Sequence, residues 1–413
     1  MDTGDDGVAR LDRLHFALPA ATQADARTLC FVAFAARHRE QRHSIGTEVG
    51  HRSKLRVPWT RREVAPHRVR MDNLAHALVG AALGRAVADR HVPLAGVIGA
   101  VAANAPDWTE LLIGLPGPPD KYLVLHRGIT HSLVGALVEI LVLTLLVGGS
   151  WRLASRPPWR RLAACVGVAV LSHLFMDWQG SYGWRPFLPW NATWYYLDWV
   201  AIADVFFWIV PLVALAWGAN RHWIPLAGTL VVGGLMTLIM VNARHVAAPW
   251  VLVAYAVAGI VAAVGWLRYW VGPVARQRAA TVALLLLAVY SGAQGVAVQR
   301  RKAEIRRAAE RRFGRGASWA ALTEIGRPFT WAAIYASSDT IAGADWALPR
   351  HLRVPAVVRA LRETADGRAM AQFARFLTAE VDTAGTGTTV YLRDARYARV
   401  EREGWGVIRV RID

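Results

Sequence analysis

The stretch HRGITHSLVGALVEILVLTLLV, residues 126–147, decides how the rest of the chain is interpreted. It opens with two histidines, His126 and His131, and from Leu133 onward it is almost wholly apolar. A run of about 20 predominantly apolar residues is long enough to cross a bilayer as a helix. We therefore predict a membrane span over residues 129–148, with two imidazoles at its N-terminal end.

Apolar runs of this kind recur between residues 92 and 298. The chain of 413 residues is 54% hydrophobic with a mean hydropathy of +0.25, which is more apolar than is usual for a soluble protein. The predicted fold class is mostly α, a polytopic membrane helix bundle of about six to eight spans with a small C-terminal α+β soluble domain. The other predicted helices are two short Gly/Ala-rich ones at 73–89 and 92–105, and spans near 160–177, 199–217, 223–241, 250–270 and 279–298.

Three parts of the chain differ in composition. Residues 1–70 are rich in basic side chains and contain no apolar run long enough to span a bilayer. We interpret them as a disordered extension or, preferably, as residues upstream of a true translation start at Met71. Residues 71–298 form the predicted membrane domain. Residues 299–413 comprise a basic helix near lipid headgroups and then the soluble α+β domain.

The net charge of +18 and the two cysteines restrict the function further. In a membrane protein, basic loops and juxtamembrane arginines account for such a charge. Membrane lipids are therefore the expected partners, nucleic acid is not, and the oligomeric state is left open. Cys30 and Cys165 are too few for a cysteine-based zinc site or a disulfide framework.

Ionisable residues stand at one end of the predicted helices. If the spans alternate in direction, the starts of the first, third and fifth apolar runs and the ends of the second and fourth lie on one side of the membrane. The residues at these positions are Asp72, His76, Asp107, His126, His131, His173, Asp177, Asp198 and Asp204. His173 and Asp177 are four residues apart and share a helix face. Imidazole and carboxylate are ligands for zinc and other divalent first-row metals.

Simpler interpretations of the same residues remain open. An isolated histidine such as His76 can be merely interfacial, and Asp72 can cap the first helix. Asp107 can be a loop residue, and His173 with Asp177 can form a plain ion pair. The common location favours a metal site, because polar groups in hydrocarbon are costly unless they have partners or a function.

Four segments resemble a known family. MDNLAHALVGAALGR, APDW, HRGITHSL and HLFMDWQGSYGWRPFLPW are similar to the YdjM-type family of bacterial inner-membrane proteins, proposed to be metal-dependent hydrolases. The family is marked by MDxxTH, a PD pair, HRGxTHS and HxxxD. The resemblance covers residues 71–204, and Ala75 replaces the usual threonine of the first motif. It implies a multi-pass protein of the bacterial inner membrane with hydrolase activity.

The first functional hypothesis is a metal-dependent hydrolase of an ester or phosphoester at the membrane surface, with zinc as the expected metal and manganese as the alternative. The predicted metal ligands are His76, Asp107, His131, His173 and Asp177, and the predicted catalytic residues are His126, His131 and Asp177. His126 would be a ligand or a proton shuttle. Arg127 and Arg185 would hold an anionic substrate group. The alternatives are an ion- or proton-coupled transporter that uses the same cluster and a membrane-anchored regulator.

Overall fold

The computed structural model describes residues 73–109, 121–152, 157–217, 223–267, 272–383 and 387–412. The predictions for residues 1–70, Met71 and Asp72 lie outside the described residues. The helices of the membrane part are α1 Asn73–Ala88, α2 Ala95–Ala102, α3 Lys121–Leu125, α4 Leu133–Arg152, α5 Trp159–Gln179, α6 Phe206–Ala216, α7 Trp223–Ala243, α8 Pro249–Leu267 and α9 Pro273–Phe313. Two short 3-10 turns, Ala105–Thr109 and Ile129–His131, interrupt the series.

Four of the described helices, α4, α5, α8 and α9, are long and apolar enough to cross a membrane. Helix α6 and the Ala227–Ala243 part of α7 are apolar but shorter. Helices α4 and α8 expose large apolar side chains such as Leu137, Leu141, Val257 and Ile260, as a surface facing lipid does. The mostly helical, membrane-type fold is thus confirmed, whereas the helix lengths do not establish six to eight spans.

Small residues allow α1 and α2 to pack closely. A Cβ built on Gly80 would lie 2.4 Å from the carbonyl oxygen of Gly99, and a Cβ on Gly99 would lie 2.1 Å from that of Gly80. Helix backbones approach this closely only where neither residue has a side chain. The Gly/Ala-rich composition of these short helices therefore brings the start of α1 beside the end of α2.

Helix α5 lies at the centre of this part of the bundle and packs against α1, α2 and α4. Its buried apolar positions recur at helical spacing, and Leu162, Val166, Ala169 and Val170 are fully buried. Because His173 and Asp177 continue this buried face of the helix, the polar residues of its last turns lie inside the protein as well.

Helix α9 packs against α1 and α6 and leads into the C-terminal region (residues 318–412). The predicted span at 279–298 and the predicted basic helix at 299–315 form one continuous helix of 41 residues. Strands β1 Ser318–Thr323, β2 Trp331–Ala336, β3 Thr340–Ala342 and β4 Ala347–Pro349 form an antiparallel sheet in that order, and β5 Leu377–Asp382, β6 Thr388–Asp394 and β7 Val407–Ile412 form a second. Helices α10 Pro355–Glu363 and α11 Ala365–Phe373 pack against the second sheet.

Two predicted helices differ from the observed ones. The span predicted from residue 199 begins only at Phe206, because the carboxylate of Asp204 accepts the backbone N–H of Phe206 at 2.9 Å and keeps the preceding residues in a loop. The helical stretch predicted near 355–380 is two helices followed by β5. Thr364 separates the helices, since its hydroxyl accepts the N–H of Gly367 as an N-cap.

Candidate metal centre

The last turns of α5 carry two polar side chains into the buried interior. His173 is fully buried and Asp177 nearly so, and they lie one turn apart, as their spacing predicts. The Nδ1 of His173 donates to the carbonyl oxygen of Ala103, just after α2, at 2.7 Å. This bond fixes the ring, so that Nε2 points to Oδ2 of Asp177 at 3.6 Å.

The two 3-10 turns bring a carboxylate and an imidazole to the same point. Oδ1 of Asp107 lies 3.1 Å from Nε2 of His131 and 3.5 Å from Nε2 of His173. The Nε2 atoms of His131 and His173 are 3.1 Å apart, and Nε2 of His131 is 3.4 Å from Oδ2 of Asp177. Four side chains from three segments therefore converge within the protein.

The fifth member, His76, lies on the first turn of α1. Its ring stacks on that of His173 with the centroids 3.9 Å apart, and its Nε2 lies 3.5 Å from Oδ1 of Asp177. The structure thus brings together His76, Asp107, His131, His173 and Asp177, the five residues predicted as metal ligands. We refer to them as the His/Asp cluster.

The His/Asp cluster has the donors and the spacing that a metal ion requires. Two overlapping groups, His76 with Asp107 and His173, and His131 with His173 and Asp177, place their ligand atoms within 4.8 Å of one another. Two atoms that each lie about 2.1 Å from zinc at tetrahedral angles are about 3.4 Å apart, close to the separations seen here. Oδ2 of Asp107 and Oδ2 of Asp177 are buried and have no hydrogen-bond partner among the described residues.

The charge states of the residues on the 3-10 turns also fit a metal site. Burial lowers the pKa of His131 below its ordinary value, which favours the neutral imidazole. Burial opposes the ionised form of Asp107, but His173 and His131 together hold the pKa of Asp107 below its usual range. Neutral imidazole and ionised carboxylate are the forms in which these side chains bind metals.

Arg127 braces Asp177 of the cluster through hydrogen bonds. One guanidinium nitrogen donates to Oδ1 of Asp177 at 2.7 Å, and another donates to the carbonyl oxygens of Asp177 and Gly183 at 3.0 and 2.6 Å. Arg185 donates to the carbonyl oxygen of Arg127 at 3.1 Å and lies over the ring of Trp194. Both arginines are buried in intramolecular contacts, and their predicted role in substrate binding stays a prediction.

His126 lies apart from the His/Asp cluster, in an aromatic pocket. Its ring stacks on Tyr122 and contacts the edges of Tyr182 and Trp405. Arg127 has a positive φ of 50°, and this turn sends the two histidines of HRGITHS in different directions. Burial and the charge of Arg127 lower the pKa of His126 to about 3, so its imidazole is neutral and a weak base. Its predicted role as a ligand or proton shuttle stays a prediction.

Glu139 is a further polar residue of the bundle and is not among the predicted site residues. It lies on α4, within a helix long enough to cross the membrane, and its Oε2 is buried with no hydrogen-bond partner among the described residues. The available signal was a single acidic residue in an otherwise apolar span, which is a functional candidate by default.

The C-terminal region forms hydrogen bonds with the loop that follows α5. Arg375 donates to both carboxylate oxygens of Asp198 at 3.0 and 3.2 Å. Arg396 donates to the carbonyl oxygens of Ser181 and Tyr182 at 2.7 and 3.1 Å. The ring of Tyr182 in turn lies against the Arg127 guanidinium. Contacts therefore run from the C-terminal region to the residue that braces Asp177.

A cleft borders the His/Asp cluster. His76, Arg127 and Asp177 form part of its wall, and Asp204 lies on the wall as well. The remaining lining is mainly apolar and includes Ala75, Met176, Val200, Ile202 and Phe207. The arrangement places an apolar surface beside buried imidazole and carboxylate groups.

Fold and site together define a helical membrane protein with a buried His/Asp cluster that could hold a metal ion. Residues 71–266, a little under half of the chain, match the model of the YdjM inner membrane protein family, so this part of the chain is similar to that family. The match confirms the resemblance inferred from the four motifs. Neither the curated proteins nor the solved structures that were compared gave a match.

Proposed function

We propose that the protein is a multi-pass, metal-dependent hydrolase of the inner membrane that cleaves an ester or phosphoester at the membrane surface. Zinc is the expected metal and manganese the alternative, because the donor set consists of imidazole nitrogen and carboxylate oxygen. The observation that carries the proposal is the pair of Nε2 atoms of His131 and His173, 3.1 Å apart and flanked by Asp107 and Asp177.

The protein's own residues would hold and orient the reacting groups. A divalent metal bound there would supply an acidified water and polarise the scissile oxygen. The backbone of Ala103 orients His173, and Arg127 orients Asp177. Residues that orient ligands in this way sharpen the geometry of a metal site and raise its affinity. The buried position of the cluster limits access of bulk water, which strengthens electrostatic interactions within it.

The cleft supports a substrate with an apolar part. Met176, Ile202 and Phe207 offer it an apolar wall, while His76 and Asp177 lie on the polar side. A ligand whose hydrocarbon chain lies against the apolar wall presents its ester group to the polar side of the cleft. A lipid or lipid-linked ester in the bilayer has this chemistry, so membrane lipids are the proposed source of the substrate.

Hydrolysis by purified protein tests the proposal. We expect the full chain, loaded with zinc or manganese in detergent, to hydrolyse para-nitrophenyl octanoate or ethyl para-nitrophenyl phosphate. A chelator should abolish this activity, and added metal should restore it. Asp89→Asn is the matched control, because Asp89 pairs with Arg276 at the opposite end of α1 from His76. A metal-loaded protein that hydrolyses neither probe, or that ignores the chelator, would show that the cluster is not a hydrolytic centre.

A proton- or cation-coupled transporter is the second candidate, and Glu139 is the observation that favours it. A buried carboxylate with an unpaired oxygen inside a membrane helix suits an ion path. Reconstitution in liposomes separates the two functions. Ion flux that Glu139→Gln abolishes, together with no hydrolysis of either probe, would support transport over hydrolysis.

A further inference from the structure

Asp204 is a buried carboxyl that the proposed ligand set does not use. It lies in the loop between α5 and α6, and its residue surface is 6% exposed. Oδ1 accepts the backbone N–H of Phe206 at 2.9 Å, and Oδ2 accepts the hydroxyl of Tyr290 on α9 at 2.7 Å. Both donors are neutral, so these hydrogen bonds place the carboxyl without supplying a counter-charge.

Asp204 lies between two clefts. It lines the cleft in whose wall His76, Arg127 and Asp177 lie. It also lines a second cleft, beside Gln294 of α9 and next to Glu324 and Arg327 of the C-terminal region. The charged, titratable or polar side chains around Asp204 are therefore those of the two clefts, together with Tyr290 of α9. Asp204 thus faces the same cleft as His76 and Asp177 of the His/Asp cluster.

The environment of Asp204 favours retention of a proton. Burial raises the pKa of Asp204 to about 6, although the hydrogen bonds from Tyr290 and Phe206 favour the ionised form. A larger fraction of such a carboxyl is protonated near neutral pH than of an ordinary aspartate. General acids work best when their pKa lies near the working pH.

We propose that Asp204 is the catalytic acid that protonates the leaving group in the cleft. This inference rests on the proposed hydrolase function. In the reaction, a water oxygen bonds to the acyl carbon or to phosphorus, and the bond to the leaving oxygen breaks with its electron pair on that oxygen. The carboxyl proton of Asp204 moves to that oxygen and gives an alcohol. The proton released by the attacking water restores the Asp204 carboxyl, so atoms and charge balance over the cycle.

The leaving group provides the first test. A para-nitrophenolate leaves without a proton, whereas an alkoxide needs one. We expect Asp204→Asn to slow hydrolysis of ethyl octanoate, or of diethyl phosphate if the protein is a phosphoesterase, by roughly 100-fold or more. Hydrolysis of the corresponding para-nitrophenyl probe should change little, and bound zinc per chain should stay at the wild-type level. Asp89→Asn should match the wild type on every probe.

A second readout does not depend on turnover. At a pH of about 5, below the pKa of Asp204 and above that of an ordinary aspartate, the infrared spectrum of the metal-free full chain should contain the carbonyl stretch of a protonated carboxylic acid, and Asp204→Asn should reduce it. An absent band in the wild type contradicts the proposal even if the variant fails to fold. Equal losses on alkyl and aryl probes, or no loss on either, also contradict it while leaving the hydrolase function standing. A wild type that cleaves no probe overturns the hydrolase function and this inference with it.

Discussion

Substitution of His173 by alanine should remove most of the affinity for metal. Nε2 of His173 lies 3.1 Å from Nε2 of His131, 3.5 Å from Oδ1 of Asp107 and 3.6 Å from Oδ2 of Asp177. Among the described residues, two groups of side chains could hold a metal ion, and both groups contain His173. Its removal therefore weakens both groups at once.

The expected loss of zinc affinity can be scaled from the effect of removing residues that do not bind the metal themselves. Removing a residue that only orients a ligand weakens metal binding by about 10- to 100-fold. Loss of the ligand itself should reach at least the upper end, about 100-fold, which corresponds to about 2.8 kcal/mol of binding free energy. The alanine variant also leaves two carboxylates facing each other with one imidazole fewer between them, which adds to the loss.

Competition with a chromophoric zinc chelator measures this affinity directly on protein purified in detergent. His91→Ala is the control, because His91 is exposed and follows the end of α1 that lies away from His76. Circular dichroism should show the same helix content for both variants, since the apolar helices determine insertion. A His173→Ala protein that folds and holds zinc as tightly as the control would refute the assignment of the cluster.

Three further outcomes test neighbouring parts of the account. Arg127→Ala should weaken zinc affinity by about 10- to 100-fold in the same competition assay, because it frees the carboxylate of Asp177 to rotate. Unchanged affinity would show that the hydrogen bond from Arg127 to Asp177 is dispensable for metal binding. Gly99→Val should lower the melting temperature, since any Cβ there meets a backbone oxygen at 2.1 Å, whereas Gly149→Ala, with open space around it, should not; equal melting temperatures would contradict the close crossing. Partial burial opposes ionisation of Glu380, yet hydrogen bonds from two arginines lower its pKa. A lowered pKa stabilises the fold above the unfolded-state value, and this stabilisation is lost as the pH falls through the folded-state value. Glu380→Gln should therefore reduce the acid-induced fall in melting temperature, and an unchanged pH dependence would argue against it.

Local patterns in the sequence account for much of the site. The HxxxD spacing places His173 and Asp177 on one helix face, and the observed geometry agrees. The alternation of apolar runs predicts that His76, Asp107 and His131 reach the same end, and they do so. These features depend on helix periodicity and chain direction, which are properties of short segments.

Other features depend on contacts between distant residues and had no local signal. The positive φ of Arg127 separates His126 from His131, and it accompanies hydrogen bonds to Asp177 and Gly183, some 50 residues away. The tie between Arg375 and Asp198 joins residues 177 positions apart. Such pairs are formed by the packed structure, so the buried place of His126 and the role of the C-terminal region could not be inferred from spacing alone.

X-ray absorption spectroscopy at the zinc edge of the purified, zinc-loaded full chain tests whether the His/Asp cluster binds the metal, because it reports the atoms bound to the metal. We expect stoichiometric zinc with nitrogen and oxygen ligands at about 2.0–2.1 Å and the scattering pattern of two or more imidazoles. The same spectrum from His131→Ala should show weaker imidazole scattering or no retained zinc. Sulfur at about 2.3 Å, or a wild-type protein that retains no zinc after gel filtration, would contradict a metal centre built from the His/Asp cluster.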